Sequence, residues 1–141
     1  MPAGRVLALD VGDKRIGLAL SDPDRIIASG LDTLVRTGRQ RDVAQLAALV
    51  AQHQCTLVVV GLPLGLHGRD TAQTQKVRRF VAELAPALPC PVTTSDERLS
   101  TVLAERRLKE LRAKVKAGSD QAAAVVILEG FLARERREDP A

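Results

Sequence analysis

Aromatic residues are nearly missing from this 141-residue chain, which has two Phe, no Trp and no Tyr. The core must therefore be aliphatic, built from Ala, Leu, Val and Ile. The same scarcity argues against binders that stack bases on aromatic platforms, such as RRM-type sheets or aromatic OB-folds. Cysteine is scarce too: Cys55 and Cys90 match no metal or redox spacing. No apolar run approaches the roughly 18 residues that span a bilayer. Met1 to Arg5 leads almost directly into a strand pattern, without the charged-then-apolar leader of an exported protein. The expectation is a soluble, cytoplasmic protein with reduced thiols. Internal repeats and low-complexity segments are also absent.

What is present fits one domain, residues 1–141, large enough to bury roughly two-thirds of its unfolded surface. Apolar residues make up 45% and charged residues 27%, which is ordinary globular usage. Basic residues number 21 against 17 acidic ones, a formal charge of +4, and 16 of the 21 are Arg. Arg pairs phosphate bidentately where Lys offers a point charge, so the excess suits a nucleic-acid partner. A GC-rich genome would write the same Arg for Lys, so charge alone decides nothing.

Arg5 to Val11 reads as a buried strand, Gly12 and Asp13 as a turn, and Ile16 to Ser21 as the returning strand of a hairpin. Asp22-Pro23-Asp24 is a second turn, and Ile26 to Val35 a third strand. The period then changes. Thr37-Gly38-Arg39-Gln40 fits a capping box, and Val43, Leu46, Ala47 and Val50 follow at helical spacing. Leu57 to Val60 has the continuous β-branched character of a central strand. Asp70 and Gln73 form a second capping-box pattern, opening a helix to about Leu84. Val92 to Ser95 is a short fifth strand. A basic helix from about Ser100 to Leu111 and a last helix from about Asp120 to Arg134 complete the order βββαβαβαα. This predicts an α/β fold: a mixed five-stranded sheet with helices on both faces and parallel crossovers after the meander. Ligands in such sheets sit at the carboxyl ends of the parallel strands.

Acids fall at three element ends. Asp10 closes the first strand; a carboxylate there wants a partner, and an Asp before Gly12 is also a common turn cap. Asp96 and Glu97 follow the fifth strand. Either they answer a helix dipole, or one points into a cleft with Arg98 and Ser100 beside it to meet phosphate. Asp120 opens the last helix, where an Asp is favourable in any case. It shares a stripe with Ala124, Ile127 and Phe131, whose apolar members must face the sheet. Asp120 is thus expected at the sheet's end. Three gathered carboxylates repel one another and need divalent cations, for which hard ions such as Mg²⁺ or Mn²⁺ are suited. Two ions about 4 Å apart can activate a water and stabilise the leaving oxygen of a phosphodiester.

Two other segments bear on binding. The loop Gly61 to Arg69 has three glycines and ends at a helix amino terminus, where free amides favour anions. It lacks the Gly-Lys-Ser/Thr of a P-loop, and a plain flexible connection explains it equally well. His67 reads as a surface residue and His53 as a helix-end residue. From Arg98 to Lys116 there are seven basic residues against Glu105 and Glu110. Such a run is usually a solvated face, but here it lies between two of the acids, where a nuclease would hold the backbone it cuts.

These motifs together resemble the YqgF family of RNase H-like proteins, described as Holliday junction resolvase-like or as pre-16S rRNA nucleases. The matching pieces are Leu9-Asp10-Val11-Gly12 with Ile16-Gly17, and Val59 to Leu64 with Gly68. Asp96 to Thr101 with Ala104-Glu105, and Asp120 with Ala122-Ala123 and Ile127-Leu128, complete them. They run in order over nearly the whole chain. The resemblance implies an RNase H-like fold and metal-dependent phosphodiester hydrolysis, with Asp10, Glu97 and Asp120 as catalytic metal ligands holding two Mg²⁺ or Mn²⁺ ions. Candidate nucleic-acid contacts are Lys14, Arg15, Arg69, Arg98, Ser100, Arg106, Arg107, Lys114 and Lys116. The stretch Lys114 to Ser119 departs from the family's basic, Gly-rich pattern. In such a sheet the fourth and fifth strands are neighbours, so Cys55 and Cys90 are expected close together as free thiols.

The expected substrate is branched DNA, structured RNA such as an rRNA precursor, or both, and symmetric junction cutting would suit a homodimer. Two other readings stay open. One is a non-catalytic RNA-binding ribosome-assembly factor that keeps the fold. The other is a nucleotide-binding ATPase of the actin and sugar-kinase type, which would need a second domain that 141 residues do not hold.

Overall fold

The computed structural model describes residues 3–96, 106, 109, 110 and 119–138. Five strands, β1 (Arg5–Val11), β2 (Arg15–Ser21), β3 (Ala28–Val35), β4 (Cys55–Leu62) and β5 (Val92–Asp96), form one sheet in the order β3-β2-β1-β4-β5. The first three pair antiparallel as the expected meander, while β1 pairs β4 and β4 pairs β5 in parallel. Three helices complete the described fold: α1 (Arg39–His53), α2 (Ala72–Leu84) and α3 (Ser119–Glu138). The carboxyl ends of β1, β4 and β5 therefore lie side by side. The basic segment after β5 is described only at Arg106, Lys109 and Glu110, which are helical and exposed.

Strand alternation sorts the side chains onto two faces. Leu7, Leu9 and Val11 join Ile16, Leu18 and Leu20 of β2 and Val58, Val60 and Leu62 of β4. Together they pack against Leu46 and Val50 of α1 and Val77, Phe80 and Leu84 of α2. The intervening residues Val6, Ala8, Ala19 and Val59 pack against Ala124, Val125, Leu128 and Leu132 of α3. Ala8 and Ala19 are short, which suits close approach of a long helix. A Cβ added at Gly30, on the neighbouring β3, would lie 2.8 Å from the Gln121 side chain. The buried ridge of α3 is thus rotated one residue from the expected stripe: Ala124 is buried, but Ile127 and Phe131 are only partly so. A flat sheet covers a wider arc of a helix than one stripe, and spacing alone did not fix its centre.

Both helix starts differ from their sequence patterns. Gly38 is the N-cap of α1 and no side chain caps it. Instead the carboxylate of Asp42, inside the first turn and fully buried, accepts from the Thr37 amide at 3.0 Å and from Arg36 Nε at 3.1 Å. Arg36 Nη1 donates to the Gly12 carbonyl at 2.9 Å, and its guanidinium lies 5.0 Å from the centre of the Phe80 ring. One cation thereby ties the β1–β2 turn to α1 and α2. At α2 the N-cap is Thr71, in a reciprocal box with Thr74, rather than Asp70 with Gln73. Asp70 pairs with Arg78 instead.

β3 begins at Ala28, two residues later than its apolar run suggests. The Asp22 carboxylate accepts from the amides of Ile26 and Ile27 at 2.7 and 2.8 Å, turning both residues out of the strand. These bonds, that from Ile27 first, hold the Asp22 carboxyl below its usual range. Arg25 beside it has left-handed backbone (φ 58°) and reaches the Gly4 carbonyl, Thr56 Oγ1 and Glu135. It joins the start of β4 and the end of α3 to the chain's opening residues.

Candidate active site

Asp10 lies one residue before the carboxyl end of β1 and is half-buried. It shares the pleat of Val6 and Ala8, so it points to the face that α3 covers. Its neighbours across the sheet are small. Asp10 pairs with Gly17 of β2. On the other side, one residue past the Leu9–Val60 pair, comes Gly61 of β4, which pairs with Ser95 of β5. The row Gly17–Asp10–Gly61–Ser95 thus leaves the carboxylate without a bulky side chain on either adjacent strand. Ser95 is buried and accepts a hydrogen bond from the Arg134 guanidinium, which brings the end of α3 to β5.

The start of α3 lies over the same face. Asp120 is in its first turn, directly before Gln121, which sits against Gly30. Gly30 pairs with Ala19 and Ala19 with Ala8, two residues before Asp10 on β1. The fold therefore brings the backbone of Asp120 to the face that Asp10 addresses. Asp96 belongs elsewhere: it pairs with Leu62, one row further on, and takes the face of α1 and α2. Glu97, Arg98, Ser100, Arg107, Lys114 and Lys116 lie outside the described residues. Among the described residues, no group of three His, Cys, Asp or Glu side chains converges as a metal site.

Lys14 and Arg15 are exposed on the turn that follows Asp10's strand. The Gly12 amide donates to the Arg15 carbonyl at 2.8 Å, and a Cβ at Gly12 would come within 2.8 Å of that oxygen. Only glycine fits such a close approach without a shift. Arg69 is exposed, as is Arg106. The loop before α2 is not an open anion cradle. Its Gly65 amide donates to the Arg69 carbonyl, the Gly68 amide to the Gly65 carbonyl, and Thr71 Oγ1 takes the Thr74 amide. His67 is exposed in a short 3₁₀ turn over Leu66–Gly68, consistent with a surface role.

The donor chemistry at Asp10 fits a hard divalent cation: a carboxylate at a strand end, flanked on both adjacent strands by glycine. The sequence patterns did not single out Arg36 and Asp42, which brace the turn behind Asp10. An acid at the fourth position of a helix, six residues after an Arg, was the available sign. Gly17 and Gly61 were legible as family motif residues, but their shared row with Asp10 required the register.

Cys55 and Cys90 are both free thiols. Burial, and then the nearby Cys90, push the Cys55 thiol up to about 11. A thiol raised on folding is neutral in both states at low pH, and ionises first in the unfolded chain as pH rises. Folding stability should therefore fall between about pH 9 and 11, and Cys55→Ala should flatten that fall. Chemical denaturation from pH 7 to 11 checks this; identical slopes for the two proteins would contradict it.

Known proteins resemble this chain in sequence and in fold. A family model described as "RuvX: Holliday junction resolvase" matches residues 4–134. A relative from Koribacter versatilis, provisionally named a pre-16S rRNA nuclease, is 44% identical over 97% of this chain and 93% of its own. One from Chloroflexus aurantiacus with the same provisional name is 46% identical, covering 96% and 90%. The solved structure of T. thermophilus RuvC in complex with a Holliday junction substrate superposes with a TM-score of 0.63 at 19% identity, covering 94% of this chain and 96% of that one. The fowlpox virus resolvase with Holliday junction DNA gives 0.57 at 10% identity, covering 93% and 98%. These two likenesses establish the RNase H-like resolvase fold. With the family model spanning most of its length, the chain belongs to the RuvX Holliday junction resolvase family.

Proposed function

We propose that this chain is a divalent-metal-dependent nuclease, a single domain that hydrolyses phosphodiester bonds in structured nucleic acid. The observation that carries the reading is the placement of Asp10. It stands at the carboxyl end of the central parallel strand, between two glycines, on the face reached by the first turn of α3. Family membership and the names of the relatives support the same chemistry.

In this reading Asp10, Glu97 and Asp120 hold Mg²⁺ or Mn²⁺. The family resemblance assigns Glu97, whereas Asp96 takes the face of α1 and α2. Two bound ions would supply an activated water and neutralise charge on the leaving oxygen. Lys14, Arg15, Arg69 and the basic residues Arg98, Arg106, Arg107, Lys114 and Lys116, with Ser100, hold backbone phosphates. Few aromatics and many Arg imply recognition by phosphate position and shape rather than by base stacking. A cytoplasmic enzyme is consistent with the absence of any membrane-length apolar helix among the described residues.

One cleavage panel tests the reading: a four-way DNA junction, a flap, single strands and precursor rRNA, each with Mg²⁺, Mn²⁺ or EDTA. Metal-dependent cutting is expected, with junction and precursor rRNA preferred over single strands. Metal-independent binding without cleavage of any substrate would favour a non-catalytic assembly factor.

A further inference from the structure

A second charged feature lies at the same strand end on the opposite face. A cavity of about 180 Å³ opens between α1, α2 and the β1–β2 turn, with Val11 and Phe80 among its walls. Val11 follows Asp10 and points to the other side of the sheet. Four cations line this cavity: Arg36, Arg39, Lys76 and Arg79. Among the described residues, Asp13 is the one acid in the lining.

The cations differ in how firmly they are held. Arg36 is fixed by Asp42, the Gly12 carbonyl and the Phe80 ring. Arg39 pairs with Glu83 at 2.7 Å, but both side chains are well exposed. Lys76 approaches Asp13 at 3.6 Å, with both more than half exposed. Exposed pairs of this kind are worth about 0–1 kcal/mol and exchange partners readily. Arg79 is exposed on α2 between Lys76 and Phe80. A planar guanidinium held in place beside exchangeable cations is an arrangement suited to a tetrahedral oxyanion.

We propose that this cavity is a phosphate site for the nucleic-acid substrate, seating a backbone phosphate remote from the bond that is cut. The inference rests on the nuclease reading and extends it. Asp10 and the cavity flank one strand end from opposite faces, and the exposed Lys14 and Arg15 cap the turn between them. A single unbranched strand crossing Asp10 has no need to reach the far face. A duplex arm leaving a branch point, or a folded rRNA segment, would pass the turn and meet the cavity. The site therefore favours branched or folded substrates without reading sequence.

The test compares binding of a four-way DNA junction and a precursor rRNA hairpin across a salt series, in the Asp10→Asn background so that no strand is cut. Lys76→Gln with Arg79→Gln should weaken binding about tenfold at 0.1 M salt and lower the salt slope by about 1 to 2. Asp13→Asn, which removes the competing carboxylate, should tighten binding. Thermal denaturation of each variant verifies folding. Loss of slope with one substrate identifies whether DNA or RNA supplies the phosphate; loss with both means the cavity serves either. Unchanged slopes, with the Asp10→Asn protein binding normally, would overturn the cavity assignment alone. Failure of the parent protein to bind or cut either substrate would overturn the nuclease reading along with it.

Discussion

Asp10→Asn should lower metal-dependent cleavage by about 10³-fold or more while leaving the melting temperature nearly unchanged. The substitution keeps the shape of the side chain and removes one negative charge. Its neighbours Gly17 and Gly61 offer no side chain that could take over as a ligand. Stability should hardly respond, because the packing of β1 rests on Val6, Leu7, Ala8 and Leu9, all fully buried. Cleavage rates in Mg²⁺ and Mn²⁺, with denaturation of the same samples, decide the matter. Undiminished cutting by a rigorously purified Asp10→Asn protein would remove Asp10 from the active site.

The second large effect concerns stability. Asp42→Ala should destabilise the fold by about 3 kcal/mol, near the lower end for breaking a buried ion pair. At this chain length that corresponds to a melting temperature about 10 °C lower. Asp42 is fully buried, but Arg36 keeps 20% of its side chain exposed and can partly recover water, which places the cost at that end of the range. Asp42→Asn should cost less, since an amide oxygen still accepts from the Thr37 N–H. Replacing both partners, Arg36→Met with Asp42→Leu, should be milder than Asp42→Ala because no orphaned charge remains. If Asp42→Ala melts within 2 °C of the parent, the pair contributes little. Because Arg36 also holds the Gly12 carbonyl, Asp42→Ala is further expected to loosen the turn behind Asp10 and lower activity in the folded fraction.

Strand identities and order were readable because each strand has a distinct local signature: the tight Gly12-Asp13 turn, the β-branched run before Gly61, and Pro91 before β5. Helix caps were less readable. Thr37 and Asp70 match capping patterns by residue type, but Gly38 and Thr71 occupy the N-cap positions. A carboxylate or hydroxyl caps only where the backbone bends to meet it, and tertiary contacts such as Asp42 with Arg36 set that bend. At the site, Asp10 was legible from its position at a strand end. Glu97 was chosen over Asp96 by the family resemblance, because spacing alone does not fix pleat parity. The register of Asp96 with Leu62 settles only that Asp96 takes the α1 and α2 face. The basic cavity was illegible for a related reason: Arg36, Arg39, Lys76 and Arg79 come from two segments far apart in the chain.

The helix that covers the second face of the sheet has a consequence for how the protein is made. Val6, Ala8, Ala19 and Val59 find their described cover in α3 alone, and α3 follows all five strands in the chain. During synthesis the meander and both parallel strands precede it, so that apolar face lacks its α3 cover until α3 emerges, an interval in which a nascent chain is prone to aggregate. Asp10 is made well before Asp120. A growing chain therefore carries only part of the proposed acid set until α3 has been made, and nuclease activity should not arise before that point, while the chain is still held beside ribosomal RNA.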